Sequence, residues 1–202
     1  MPKIAVFDVG NILIRWDQRN LYQKIFGDRR QMEHFLAEVC TNAWNLEQDR
    51  GRSWADGERE AIARHPEFEA EIRAFRARWW ETLHGPIAEH VALLDALQRN
   101  GVPTYAITNF AADTFEETCA AFPFMQRFNG VICSGREGVC KPNPAIYRLL
   151  LERFGLNAGD CVFIDDSAAN IAAADALGFH TIHYTIGLDA AGAFRQFGFP
   201  VG

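Results

Sequence analysis

Lys3-Ile4-Ala5-Val6-Phe7-Asp8-Val9-Gly10-Asn11 is the stretch that decides the fold. An apolar run of strand-forming residues stops on a carboxylate, and a glycine follows two positions later. In a parallel α/β sheet the carboxyl end of a strand is where ligands bind. Taken by itself, Asp8 has two plainer readings, a helix cap or a turn residue. The chain downstream bears on the choice.

Residues 85–202 alternate between short apolar runs and helical patterns. Strands are expected at 103–108, 130–133, 161–164 and 180–184, which with residues 3–8 makes five. Between them, residues 87–100 place Val91, Leu94 and Leu97 on one helical face, with Gly101 as the stop. A second helix is expected over 113–122. Asn143-Pro144 opens a third in the favoured way, a cap followed by proline in the first turn, and Gly155 ends it. Ser167 is placed to cap a helix running to Leu177, and a last short helix is expected at 190–197. Strands separated by helices imply a doubly wound parallel sheet, Rossmann-like, with right-handed crossovers covering both faces.

The text between the first strand and this alternation has another character. Residues 10–14 read as an extended turn, and 15–84 as helical and polar, holding all five tryptophans: Trp16, Trp44, Trp54, Trp79 and Trp80. Phe68, Ile72, Phe75 and Trp79 recur at helical spacing, the mark of a core-facing stripe. The expected organisation is an α/β core of residues 1–14 and 85–202, with a small helical cap, 15–84, inserted after strand one over the carboxyl edge of the sheet.

A formal net charge of −6 gives no electrostatic case for nucleic acid or an anionic membrane surface. An anionic substrate therefore needs local positive charge. Five cysteines without metal-type spacing read as buried, inert thiols of a reducing compartment. Asp8 interrupts the N-terminal apolar run too early for a signal peptide, and no run approaches the roughly 20 apolar residues of a membrane helix. A cytoplasmic monomer or homodimer is expected.

Four polar stations sit at or just after strand ends: Asp8, Thr108-Asn109, Lys141 and Asp165-Asp166. In a parallel sheet these ends share one edge, so the stations converge. Singly, Thr108-Asn109 is an ordinary strand end and Lys141 an ordinary surface lysine. Adjacent acids ending an apolar strand are harder to dismiss, because they cost stability without a partner. Three converging carboxylates repel one another unless a cation sits among them, and an all-oxygen ligand set suits Mg²⁺. Lys141 supplies a point charge for a phosphate oxygen or for the nucleophile, and the Thr108 hydroxyl can hold another oxygen.

FDVGN, AITN, KPNPAIY and FIDDSAAN, in this order across nearly the whole chain, resemble the four motifs of the haloacid dehalogenase-like (HAD) hydrolases. The resemblance implies that Asp8 attacks phosphorus and forms an aspartyl-phosphate, and that Thr108 and Lys141 bind phosphate, with Asn109 beside them. Asp165 matches a magnesium ligand, Asp166 assists, and the Gly10 carbonyl is a further ligand. The implied substrate is a small phosphorylated metabolite. Trp16, close after the first motif, is a candidate to touch it.

One departure matters. The usual phosphatase pattern carries a second aspartate where this chain has Gly10, and that side chain is the family's general acid and base. Such help is typically worth about 10²–10⁴-fold in rate. The DxGN form looks like a bacterial branch containing α-glucose-1-phosphate phosphatases. A hemiacetal oxygen leaves more readily than an ordinary alkoxide, so sugar 1-phosphates or other activated phosphates are the expected substrate class. Two other readings compete. One is a metal-independent 2-haloacid dehalogenase, whose family pattern also lacks the second aspartate. The other is a catalytically weak phosphometabolite-binding protein.

Overall fold

The first strand is apolar throughout because it is buried on both faces. β1 (Ile4–Phe7) runs through a tight loop to β2 (Ile14–Trp16). Five helices follow: α1 (Arg19–Tyr22), α2 (Arg29–Glu38), α3 (Asn42–Asp49), α4 (Trp54–Arg64) and α5 (Glu69–Ala77). β3 (Leu83–Pro86) and α6 (Ala88–Arg99) lead to β4 (Thr104–Thr108), then α7 (Ala112–Ala121), β5 (Gly130–Cys133), α8 (Ser134–Glu137) and α9 (Pro144–Phe154). β6 (Cys161–Asp165), α10 (Ala168–Asp175), β7 (His180–His183) and α11 (Ala190–Gln196) complete the chain. The computed structural model describes residues 1–201.

The main sheet has the order β5-β4-β1-β6-β7, and its four pairings are all parallel. Ala5 and Phe7 face one side, packed with Leu94, Leu97 and Phe194 of α6 and α11. Val6 faces the other, against Ile146, Tyr147 and Leu150 of α9. Continuous burial of this kind is how a central parallel strand reads in sequence. The chain steps outward from β1 through β4 to β5, then returns to β6 on the other side of β1. Asp8 therefore follows the strand at which the winding reverses, the crevice where such sheets bind ligands.

The inserted helices make a second core of their own. Leu21, Tyr22, Phe35, Trp44, Ile72 and Phe75 pack together, with Tyr22 and Phe35 ring centroids 4.8 Å apart. Asp28, Thr41 and Ser53 cap α2, α3 and α4 through side-chain acceptors, which sets where each helix starts.

Three local expectations change. Residues 10–14 and the ends of the helical region were expected to carry no strand, yet β2 and β3 pair as an antiparallel ribbon, Ile14 opposite Pro86 and Trp16 opposite Leu83. Three- and four-residue strands containing proline and glycine lack the alternating run by which a strand is read. Trp79 does not complete the stripe of Ile72 and Phe75; it packs in the sheet-side core, 5.5 Å from the Phe110 ring. Ser167 stands at the start of α10 but its hydroxyl caps nothing; its N–H instead donates to Asp165 Oδ1 at 2.8 Å.

Candidate active site

The ends of β1, β4 and β6 and the loop after α8 deliver the polar groups to one edge. Asp8 continues β1, its N–H bonded to the Ile164 carbonyl at 3.0 Å, so β6 holds it in register. The following loop is tied back on itself, with the Leu13 and Ile14 N–H groups donating to the Val9 carbonyl at 2.8 and 3.0 Å. Asn11 takes the left-handed conformation at φ 56°, which asparagine tolerates better than most residues, and its Oδ1 accepts from the Trp16 N–H. The buried His90 approaches the Ile12 carbonyl at 2.6 Å through Nδ1, which must therefore carry the proton. This scaffolding fixes the loop that carries Gly10.

Lys141 is buried and lies between two carboxylates, 2.8 Å from Asp8 Oδ1 and 2.6 Å from Asp165 Oδ2. Asp165, fully buried, also accepts from the Ser167 N–H and from Asn170 Nδ2 at 3.0 Å. Asp8 Oδ1 further accepts from the Val9 N–H at 2.7 Å. Asp166 is exposed toward the cavity, and the ligand atoms of Asp8, Asp165 and Asp166 lie within 4.8 Å of one another.

The electrostatics of this cluster are unbalanced. Burial pushes the Asp8 carboxyl up to about 7; Lys141 pulls it down, and Asp165 and Asp166 push it further up. Burial and Asp165 likewise raise Asp166, against the pull of Lys141 and of the neighbouring Asn11 amide. For Lys141, burial disfavours the ammonium, but Asp8 and Asp165 outweigh it and its pKa stands above the ordinary value. Three acids against one lysine leave two negative charges over, and only oxygen donors face them. That donor set and that charge deficit fit a hard divalent cation.

The remaining expected residues fall as follows. Thr108 closes β4 opposite Cys133, buried, and is not among the residues lining the adjoining cavity. Asn109 lines the cavity, but its amide spans the Lys141 backbone: Oδ1 accepts from the Lys141 N–H at 2.8 Å and Nδ2 donates to the Lys141 carbonyl at 3.0 Å. Trp16 lines the cavity and also a neighbouring groove that His84 borders. Gly10 lines the cavity, and a Cβ built there meets nothing within 4 Å.

The cavity measures about 330 Å³ and lies between the strand ends and the inserted helices. Trp16, Trp54, Phe75, Trp79 and Phe110 give it an aromatic wall. One face of α3 supplies Asn42, Asn45, Leu46 and Asp49, residues at i, i+3, i+4 and i+7. None of the α3 four was singled out from sequence, although that spacing is legible there. The Asp49 carboxyl accepts from Asn45 Nδ2 at 3.2 Å, and burial pushes it up to about 7 against the pull of the nearby Ala111 amide.

A family model described as haloacid dehalogenase-like hydrolase matches residues 2–178. The chain belongs to the haloacid dehalogenase-like hydrolases. Among relatives of this hydrolase is a sesquiterpene phosphatase of Aspergillus oryzae, 25% identical over 194 residues, 96% of this chain and 95% of that one. A HAD family enzyme of Bacteroides thetaiotaomicron matches it in structure with a TM-score of 0.76 at 25% identity, over 96% of this chain and 98% of that one. The same enzyme in complex with magnesium and inorganic phosphate matches with a TM-score of 0.73 at 25% identity, over 96% and 100%. The HAD-like hydrolase described here is thus an enzyme with phosphatase relatives. Among its described residues, no helix is long and apolar enough to cross a membrane.

Proposed function

We propose that this HAD-like hydrolase is a Mg²⁺-dependent phosphomonoesterase that works through an aspartyl-phosphate on Asp8. The observation that carries the reading is the buried Lys141 held between Asp8 and Asp165, with Asp166 beside them and two negative charges left over. Asp8, Asp165 and Asp166, with the Gly10 carbonyl, would hold the metal. When bound, it draws negative charge off the phosphoryl oxygens.

Asp8 is the nucleophile: its carboxylate is aligned through Oδ1 by the Val9 N–H and by Lys141. Lys141 neutralises an equatorial phosphoryl oxygen, and Asn109 holds the lysine backbone in place while it does so. Thr108 offers a hydroxyl at the same strand end. Positioning and electrostatics do most of the work in such transfers. Residues 15–84 serve as the cap, closing over the substrate and excluding water from the first step.

The cavity supports a leaving group with one apolar face and one hydrogen-bonding edge. A pyranose fits that description, its C–H face on Trp16 or Trp54 and its hydroxyls on Asn42 and Asn45. A sugar 1-phosphate, as in the DxGN branch, is therefore the first reading of the substrate. The extent of the aromatic wall favours a second, the monophosphate of a wholly apolar alcohol, in line with the sesquiterpene phosphatase relative. The 2-haloacid reading is disfavoured because Asp165 and Asp166 would repel a carboxylate substrate.

Asp8→Asn is expected to abolish turnover with the thermal unfolding curve preserved, and chelation to abolish it reversibly. Retained phosphatase activity in either case removes the proposal, and 2-haloacid turnover that survives chelation replaces it. Comparing kcat/KM for a hexose 1-phosphate, a hexose 6-phosphate and an isoprenoid monophosphate separates the two substrate readings.

A further inference from the structure

Gly10 lacks the carboxyl that the usual phosphatase pattern carries at this position, and the inserted helices bring a carboxyl to the same cavity. Asp49 is the last residue of α3, on the same face as Asn42, Asn45 and Leu46, and it lines the cavity that Asp8, Gly10 and Lys141 also line. It is the single carboxylate that the inserted helices place on the cavity among the described residues. Its position is fixed from both sides. Its carboxyl accepts from Asn45 Nδ2 and lies by the Ala111 amide just after β4, while its carbonyl accepts from Ser134 Oγ at 2.5 Å. These contacts join α3 to the segments that follow β4 and β5.

We propose that the Asp49 carboxyl is the acid–base of this reaction, protonating the leaving oxygen and then taking a proton from the hydrolytic water, the task Gly10 cannot perform. The inference rests on the Asp8 reading above. In the first step the Asp8 carboxylate forms an O–P bond, the P–O bond to the alcohol breaks, and the Asp49 proton passes to the departing oxygen. In the second, water adds to phosphorus and loses a proton to the Asp49 carboxylate, the Asp8–phosphorus bond breaks, and hydrogen phosphate leaves. Both side chains return to their starting states.

The surroundings favour the protonated form of Asp49. Burial pushes its carboxyl up to about 7, with only the Ala111 N–H pulling the other way. The titratable groups facing it from the core side are the Cys133 and Cys140 thiols, both raised by burial and so neutral. On its own helix, Glu47 is paired with Arg50 at 2.5 Å on the surface. The value lies near the operating range in which a group both gives and takes protons well. Because the acid form is needed first, kcat for a poor leaving group falls as pH rises through about 7.

The test is a leaving-group comparison. Asp49→Asn keeps the volume and an acceptor for Ala111 but cannot transfer the proton. It is expected to lower kcat for an alkyl phosphate by about 10²–10⁴-fold. For 4-nitrophenyl phosphate, whose leaving group needs no proton, the loss is expected to be at least about tenfold smaller. The alkaline limb near 7 should vanish with the substitution. A Cβ at Gly10 meets nothing within 4 Å, and Gly10→Asp, added to Asp49→Asn, should restore alkyl phosphate hydrolysis. Equal losses on both esters, an unchanged pH limb, or no restoration would make Asp49 a tether and overturn the proposal. An Asp8→Asn control run alongside separates this failure from failure of the nucleophile assignment.

Discussion

The buried lysine is the residue on which the site balances. A buried charge survives only where partners offset its desolvation, and Lys141 has two within 2.8 Å. Removing it leaves Asp8 and Asp165 facing each other without a counter-charge. Lys141→Met is therefore expected to cost about 3–5 kcal/mol in metal-free buffer. At this chain length that corresponds to a fall in melting temperature of roughly 6–20 °C. Thermal unfolding in the presence of a chelator measures it, and a change of a degree or two would mean that the pair is solvated. The identity of Lys141 as a buried group, rather than a solvated one, was legible only in combination with the acids at the other strand ends. Nothing in Cys140-Lys141-Pro142 by itself marks burial, because desolvation is a property of the assembled edge.

At the scale of elements, the sheet was legible and the ribbon was not. A strand buried on both faces announces itself as an unbroken apolar run, as Ala5-Val6-Phe7 and Val162-Phe163-Ile164 do. β2 and β3 pair through Ile14 and Trp16 against Pro86 and Leu83, a register that exists only because the chain leaves and returns at one point. The Asn109 clamp belongs to the same class of long-range feature. Its amide joins the end of β4 to the loop after α8 across 32 residues of sequence. From sequence, Asn109 suggested contact with substrate; in the structure both ends of its amide are engaged by Lys141. Asn109→Ala strips two partners from backbone groups in a half-buried setting, worth about 1–3 kcal/mol. The expected result is that loss in chemical denaturation, with KM for phosphoesters rising because Lys141 Nζ is no longer held. A drop in kcat/KM without loss of stability would instead assign the amide to the substrate.

At the scale of the molecule, two cores share one cavity, and the bonds between them are few and polar. Arg76 of α5 reaches across to Asp113 Oδ2 at 3.1 Å and Glu117 Oε1 at 2.5 Å on α7, and Trp54 Nε1 donates to Asp113 Oδ1 at 3.1 Å. The α3 tether through Asp49 and Ser134 closes the other side. The change from helical periodicity before residue 84 to strand–helix alternation after it is legible in the sequence. Which face of which helix meets the strand ends is not, because it depends on how two separately packed cores dock. The exposed half of that docking should be sensitive to salt. Arg76 and its partners are partly solvated, so their pairing is worth only about 0–1 kcal/mol and is screened further as ionic strength rises. Arg76→Gln is thus expected to leave the melting temperature within about 4 °C of the parent. Its larger effect is expected on the cap closure proposed above. KM should rise several-fold at low salt and respond less to added KCl than that of the parent. Steady-state kinetics over a salt series, paired with limited proteolysis of residues 15–84, reads both. An unchanged KM at every salt concentration would mean that Asp49 and the aromatic wall hold the cavity closed without the arginine.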